Sequence, residues 1–186
     1  MPPGSPPEVA AILSGVVSKA AVYGLLRIVI EKFPEPVDDF QVAILAFAAT
    51  GLVYGSLLAF RAPDLRAVTA YSSMAQMGLI MIGLFSLNEL GVDGAILQSV
   101  AHGLVSAALF LLAGAVERRT ATGELSRLGG MARGRPALAT VLIGVGTALA
   151  LLLSAMAIVA AGALLPAVED WIGARRELRL IEPLRA

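Results

Sequence analysis

The sequence predicts an all-α fold, a polytopic bundle of about five membrane-spanning helices with ~20 apolar residues available for each crossing. Two observations carry that prediction. Apolar residues make up 58% of the chain and charged residues only 15%, against roughly 45–50% and about 25% in a soluble domain. The apolar residues also collect in blocks, separated by short runs of proline and charge. A chain of 186 residues has no room for a water-soluble domain of ordinary size beside those blocks.

The first block covers residues 8–30, and Pro34 and Pro36 are expected to close it. The chain starts Met-Pro-Pro-Gly-Ser-Pro-Pro, without the basic start and short apolar run of a cleaved signal, so this span is expected to remain. The second block covers 40–60, with Pro63 just beyond. The third opens at Asp64, an N-cap residue following that proline, and reaches about Leu87. The fourth covers 92–116, and the fifth runs from Pro136, a favourable first-turn residue, to Pro166. Residues 1–165 thus form the bundle. Residues 166–186, with Trp171 among mixed charges, read as a short interfacial or flexible tail. Paired glycines at 51 and 55, 78 and 83, and 144 and 146 predict close helix packing.

Loop charges predict the orientation. The turn over 31–39 is acidic, and the turn holding Glu89 and Asp93 has no base. The second-to-third connection carries Arg61 and Arg66, and the fourth-to-fifth carries Arg118, Arg119, Arg127, Arg133 and Arg135. Arginine-bearing loops stay cytoplasmic, which places the N-terminus inside and the C-terminus outside.

Composition also excludes. Net charge is zero, so no basic surface points to nucleic acid. With no cysteine and one histidine, disulfides, thiolate ligation and a histidine-built metal site are not expected. No cofactor and no catalytic residue is expected on this chain.

Polar side chains lie where a bilayer is dry. Lys19 falls near the middle of the first span, where a lysine costs on the order of 2.5–3.5 kcal/mol. Gly15, Lys19, Tyr23 and Arg27 recur every four residues along it. Lys19 reads either as a group facing water or protein, or as a snorkelling or structural cation. In the fourth span Gln98, His102 and Ser106 share a face. There His102 is either a proton carrier or a neutral interhelical hydrogen-bonding group. Thr69, Ser73 and Gln76 share a face of the third span, as interhelical glue or as part of a pathway. Intramembrane polar groups on three spans are a default sign of an ion or proton path. The candidate path residues are Lys19, Tyr23, Gln76, Gln98, His102 and Ser106.

Three stretches carry a resemblance: Leu13-Ser14-Gly15-Val16-Val17-Ser18-Lys19-Ala20-Ala21-Val22-Tyr23-Gly24-Leu25-Leu26-Arg27, Asp64-Leu65-Arg66-Ala67-Val68-Thr69-Ala70-Tyr71-Ser72-Ser73-Met74-Ala75-Gln76-Met77-Gly78, and Gln98-Ser99-Val100-Ala101-His102-Gly103-Leu104-Val105-Ser106-Ala107-Ala108-Leu109-Phe110. Together they resemble the antiporter-like, proton-translocating membrane subunits of respiratory complex I, the NADH-quinone oxidoreductase subunit M family most closely, over about residues 6–150. The resemblance implies a larger bundle of inverted repeats, of which this chain holds a fragment. It implies that Lys19 matches the lysine linking two half-channels and His102 the histidine of the central axis. It further implies a bacterial cell (inner) membrane, partners among the other membrane subunits, and NADH and quinone held only on those partners.

Departures from the family pattern stand beside it. Arg66 replaces a usual lysine and Gln76 a usual histidine, and arginine cannot release a proton at physiological pH. The family's upstream glutamate–lysine pair has no counterpart. The fifth span lacks the expected Pro-Gly break and following acid. These departures point to a truncated or internally deleted member, its tail joined from further along or shifted in frame. The expected function is proton relay within an NADH:quinone oxidoreductase. The alternatives are the same module in a cation/proton antiporter complex or membrane-bound hydrogenase, and a non-transporting helical scaffold.

Overall fold

The computed structural model describes residues 6–128, together with the helical positions Thr140 and Gly144. The expected fifth span, the tail with Trp171 and the boundary between them lie outside the described residues. Four helices are long and apolar enough to cross a membrane: α1 (Pro7–Ile30), α2 (Pro34–Arg61), α3 (Leu65–Leu84) and α4 (Glu89–Thr120). No strand occurs among the described residues.

Local chemistry sets each boundary. Pro6 is extended and Pro7 takes the first helical position of α1, where a missing N–H costs nothing. Within α1, Leu13–Val17 and Leu25–Ile30 are π-helical and flank an α-helical stretch, Ser18–Gly24. Such wide turns occur mostly as single turns near functional sites.

Pro34 and Pro36 follow the end of the first span, as expected, and they also open the second. Phe33 breaks the helix, and both prolines sit in the first turn of α2, which needs no internal N–H donors. The apolar block starting at Phe40 therefore marks the apolar length of α2, while its first turns, with Glu35, Asp38 and Asp39, form a polar end.

Asp64 caps α3 as its position suggests, its carboxylate accepting from the Ala67 N–H at 2.8 Å. The third span ends at Leu84, short of Leu87, because Leu87 takes a left-handed turn conformation (φ 55°). Asn88 then caps α4, accepting from the Gly91 N–H at 2.8 Å. α4 continues past Val116 to Thr120, and Ala121 ends it in the left-handed conformation.

The segment after α4 folds back over the α2–α3 connection. The Leu65 N–H donates to Gly123 O at 3.1 Å and the Leu125 N–H to Pro63 O at 3.0 Å. Arg66 pairs with Glu117 at 2.5 Å, and Arg118 pairs with Glu8 at 2.7 Å. The start of α1, the α2–α3 connection and the end of α4 thus share one end of the bundle. At the other end, a cavity of about 600 Å³ lined by Asp38, Glu89 and Asp93 brings the acidic turns together.

Helix α3 is the inner helix. Its mean hydropathy, 1.3, is the lowest of the four, yet half of its apolar window is buried. Its polar groups face protein, so it needs fewer apolar ones to face lipid. α2 and α3 approach to backbone contact: a Cβ on Gly78 would lie 2.7 Å from Ala48 O, and one on Gly55 would lie 2.9 Å from Ala75 N. Only glycine permits this approach. Gly51, expected to join such packing, stands in open space instead, with no atom near its Cβ position. At the acidic end Val22, Val37, Ile80, Leu84, Phe85 and Ala95 form the apolar core.

Candidate functional site

The polar side chains of α1, α3 and α4 converge inside the bundle. In the α4 stripe, Gln98 and His102 are 1% exposed and Ser106 is fully buried. Four-residue spacing keeps all three on the face turned to α1 and α3. Gln76 of α3, 1% exposed, accepts at its Oε1 from Gln98 Nε2 at 2.7 Å. Toward the arginine end, three hydroxyls from three helices meet. Ser106 lies 2.5 Å from Ser14 and 3.1 Å from Ser73, and Ser14 lies 3.4 Å from Ser73, oxygen to oxygen.

Lys19 joins this set from α1. Its stem packs in the α1–α4 contact, with Cε 3.5 Å from where a Cβ on Gly103 would stand. The contact is tight because a Gly103 Cβ would lie 2.8 Å from Gly15 O. The Lys19 Nζ donates to Ser14 O at 2.7 Å and to Ser18 Oγ at 3.1 Å. Ser18 Oγ donates to the same Ser14 carbonyl at 2.7 Å. That carbonyl lies in the π-helical turn Leu13–Val17. The half-buried lysine is thus held along α1 beside α4, and not at a helix end.

His102 differs from its neighbours. Neither ring nitrogen has a hydrogen-bond partner among the described residues, and neither does Gln98 Oε1. A neutral imidazole presents one donor and one acceptor, so these buried atoms can serve a water or a passing proton.

Of the candidate residues, Lys19, Ser106, His102, Gln98 and Gln76 come together. Ser106 to Gln98 covers about 12 Å of helix rise. Tyr23 does not join them. It is 65% exposed on the outer face of α1, near the Arg27–Glu31 ion pair. Lys19 and Tyr23 both lie in the α-helical stretch Ser18–Gly24, where a step of four residues turns the side-chain direction by about 40°, toward the outer face. Ser14 and Ser18 were not singled out in the sequence. The available signal was a pair of hydroxyls one turn apart in an apolar block, next to the only intramembrane lysine.

A family described as "NADH:quinone oxidoreductase/Mrp antiporter, TM" matches residues 3–164. The chain belongs to this family. Antiporter-family relatives include NADH-quinone oxidoreductase subunit M of Rickettsia prowazekii, 38% identical over 136 residues, 73% of this chain and 28% of that protein. The chloroplastic NAD(P)H-quinone oxidoreductase chain 4 of Angiopteris evecta is 43% identical over 130 residues, 70% of this chain and 26% of that one. A chain in the structure of respiratory complex I from Thermus thermophilus with bound NADH superposes with a TM-score of 0.73 at 30% identity, covering 86% of this chain and 38% of that one. This member of the antiporter family therefore spans only about a quarter to two fifths of the length of these three proteins.

Proposed function

We propose that this chain is a proton-conducting piece of a membrane subunit of NADH:quinone oxidoreductase. The observation that carries the proposal is the polar file through an otherwise apolar bundle, from the Lys19 ammonium past Ser14, Ser73 and Ser106 to His102, Gln98 and Gln76. Lys19 holds a proton between Ser14 O and Ser18 Oγ. His102, with two unengaged ring nitrogens, takes a proton on one side and gives it up on the other. The serine hydroxyls and bound water bridge the two. Arg66, paired with Glu117, contributes fixed charge and relays nothing. Tyr23 has no part in the path. The relatives named as quinone oxidoreductase subunits favour this assembly over a cation/proton antiporter complex. NADH and quinone chemistry belongs to partner subunits.

We place the chain in a bacterial inner membrane, as for the bacterial subunit M relatives, and the charge distribution supports a cytoplasmic N-terminus, since the arginine-bearing connections share one end and the acidic turns the other. The test is reconstitution into vesicles carrying an internal pH dye, with an imposed membrane potential. The expected result is a proton flux that Lys19→Ala abolishes and His102→Ala reduces. Wild-type vesicles without flux, or flux unchanged by Lys19→Ala, would refute the proposal and favour a scaffold.

A further inference from the structure

An apolar groove runs along the outer face of the α2–α3 pair, away from the polar file. Ile44, Gly51 and Tyr54 of α2 and Met74, Met77 and Met81 of α3 line it, enclosing about 530 Å³. It stays open because Gly51 carries no side chain, and no atom approaches its Cβ position. The three methionines give it an adaptable wall.

Its length has a physical match. Ile44 to Tyr54 covers about 15 Å of helix rise, half of a hydrocarbon core of about 30 Å. The groove is therefore one leaflet deep. Tyr54, 57% exposed, stands at its upper end, where an aromatic with a polar tip marks the interface. Two turns further along the same face of α2 comes Arg61, at about 10 Å of additional rise, the level of the headgroups.

Charge at this end selects the occupant. Arg66, Arg118 and Arg127 are paired with Glu117, Glu8 and Glu124, and Asp64 is spent on capping α3. Arg61 is exposed and makes no ion pair among the described residues. We infer that the α2–α3 groove is a binding site for one anionic phospholipid, its phosphate on Arg61 and an acyl chain lying from Tyr54 to Ile44. The site is independent of the proton path.

Native mass spectrometry of the purified protein, exchanged into equal amounts of phosphatidylglycerol and phosphatidylcholine, tests this inference. The wild type should retain one phosphatidylglycerol in preference to phosphatidylcholine. Arg61→Gln should lower that preference about fivefold, the worth of one basic residue at an anionic surface. Gly51→Leu should fill the groove and remove the bound lipid whatever its headgroup. Gly24→Leu, at an equally open position on α1, should leave lipid binding unchanged and controls for added bulk. Helicity by circular dichroism confirms that each variant is folded. Equal retention of the two lipids by the wild type, or phosphatidylglycerol surviving Gly51→Leu, overturns the inference. So does a wild-type dimer that Gly51→Leu converts to monomer, which would assign the groove to a second copy.

Discussion

The contact between α1 and α4 makes a sharp prediction, because one methyl group tests how Lys19 is positioned. In Gly103→Ala the new Cβ would stand 2.8 Å from Gly15 O, where ordinary contact begins at 3.4 Å. Backbone carbonyls do not yield as side-chain ends do, so the two helices must part by about 0.6 Å. Overpacking of this kind costs about 1–3 kcal/mol. The helix-propensity gain of alanine over glycine returns about 0.5–1 kcal/mol. The expected net loss is about 0–2.5 kcal/mol. Gly24→Ala lies on α1 with no atom near its Cβ position, so it keeps the gain and stabilises by up to about 1 kcal/mol. Reversible unfolding in mixed micelles, followed by circular dichroism, reads both values. The Lys19 Cε lies 3.5 Å from the new methyl, near enough that separation of the helices carries the lysine away from His102. Proton flux should therefore fall in Gly103→Ala and hold in Gly24→Ala. Shifts of the same sign and size in the two variants would refute the helix contact and the placement of Lys19 that depends on it.

Other perturbations address different parts of the molecule. Gln98→Leu leaves the Gln76 amide buried without its partner and should destabilise by about 1–3 kcal/mol, whereas Gln76→Leu with Gln98→Leu should recover most of the loss, as a double-mutant cycle in micelles would register. Ser106→Ala leaves only the long 3.4 Å contact between Ser14 and Ser73. It should cost about 0.5–1.5 kcal/mol and slow proton uptake in vesicles, and a full-rate variant would remove the hydroxyls from the path. The chain has no cysteine, so single cysteines report topology directly. Asp38→Cys should react with an impermeant maleimide in intact cells and Arg127→Cys should not, while the reverse pattern would invert the orientation.

Much of this architecture was legible in composition, because crossing a hydrocarbon layer leaves a long apolar record. The buried faces of α3 and α4 were legible as well. Gln98, His102 and Ser106 follow α-helical spacing on a helix that keeps it. Misreadings arose where backbone geometry departs from pattern. Pro34 and Pro36 follow one helix and open the next, so α2 starts ahead of the apolar block at Phe40 that marks it in the sequence. Tyr23 was grouped with Lys19 by spacing although it faces outward, since a step of four residues turns the direction by about 40° and the sequence does not say how wide the buried face is. Ser14 escaped notice because its part depends on what α3 and α4 bring opposite it. Gly51 and Gly55 look alike in sequence; only the neighbouring helix decides which one is in contact.

The 32 residues of α4 would reach about 48 Å if straight, well beyond a ~30 Å hydrocarbon layer. A tilt absorbs part of the excess, and the remainder stands in water with Glu117 and Arg118 on it. One mouth of the bundle is therefore fastened by ion pairs that salt can screen, and the opposite mouth by Ile80, Leu84 and Phe85, on which salt has little hold. Rising ionic strength should loosen the two mouths unequally, giving the molecule a soft rim and a firm one.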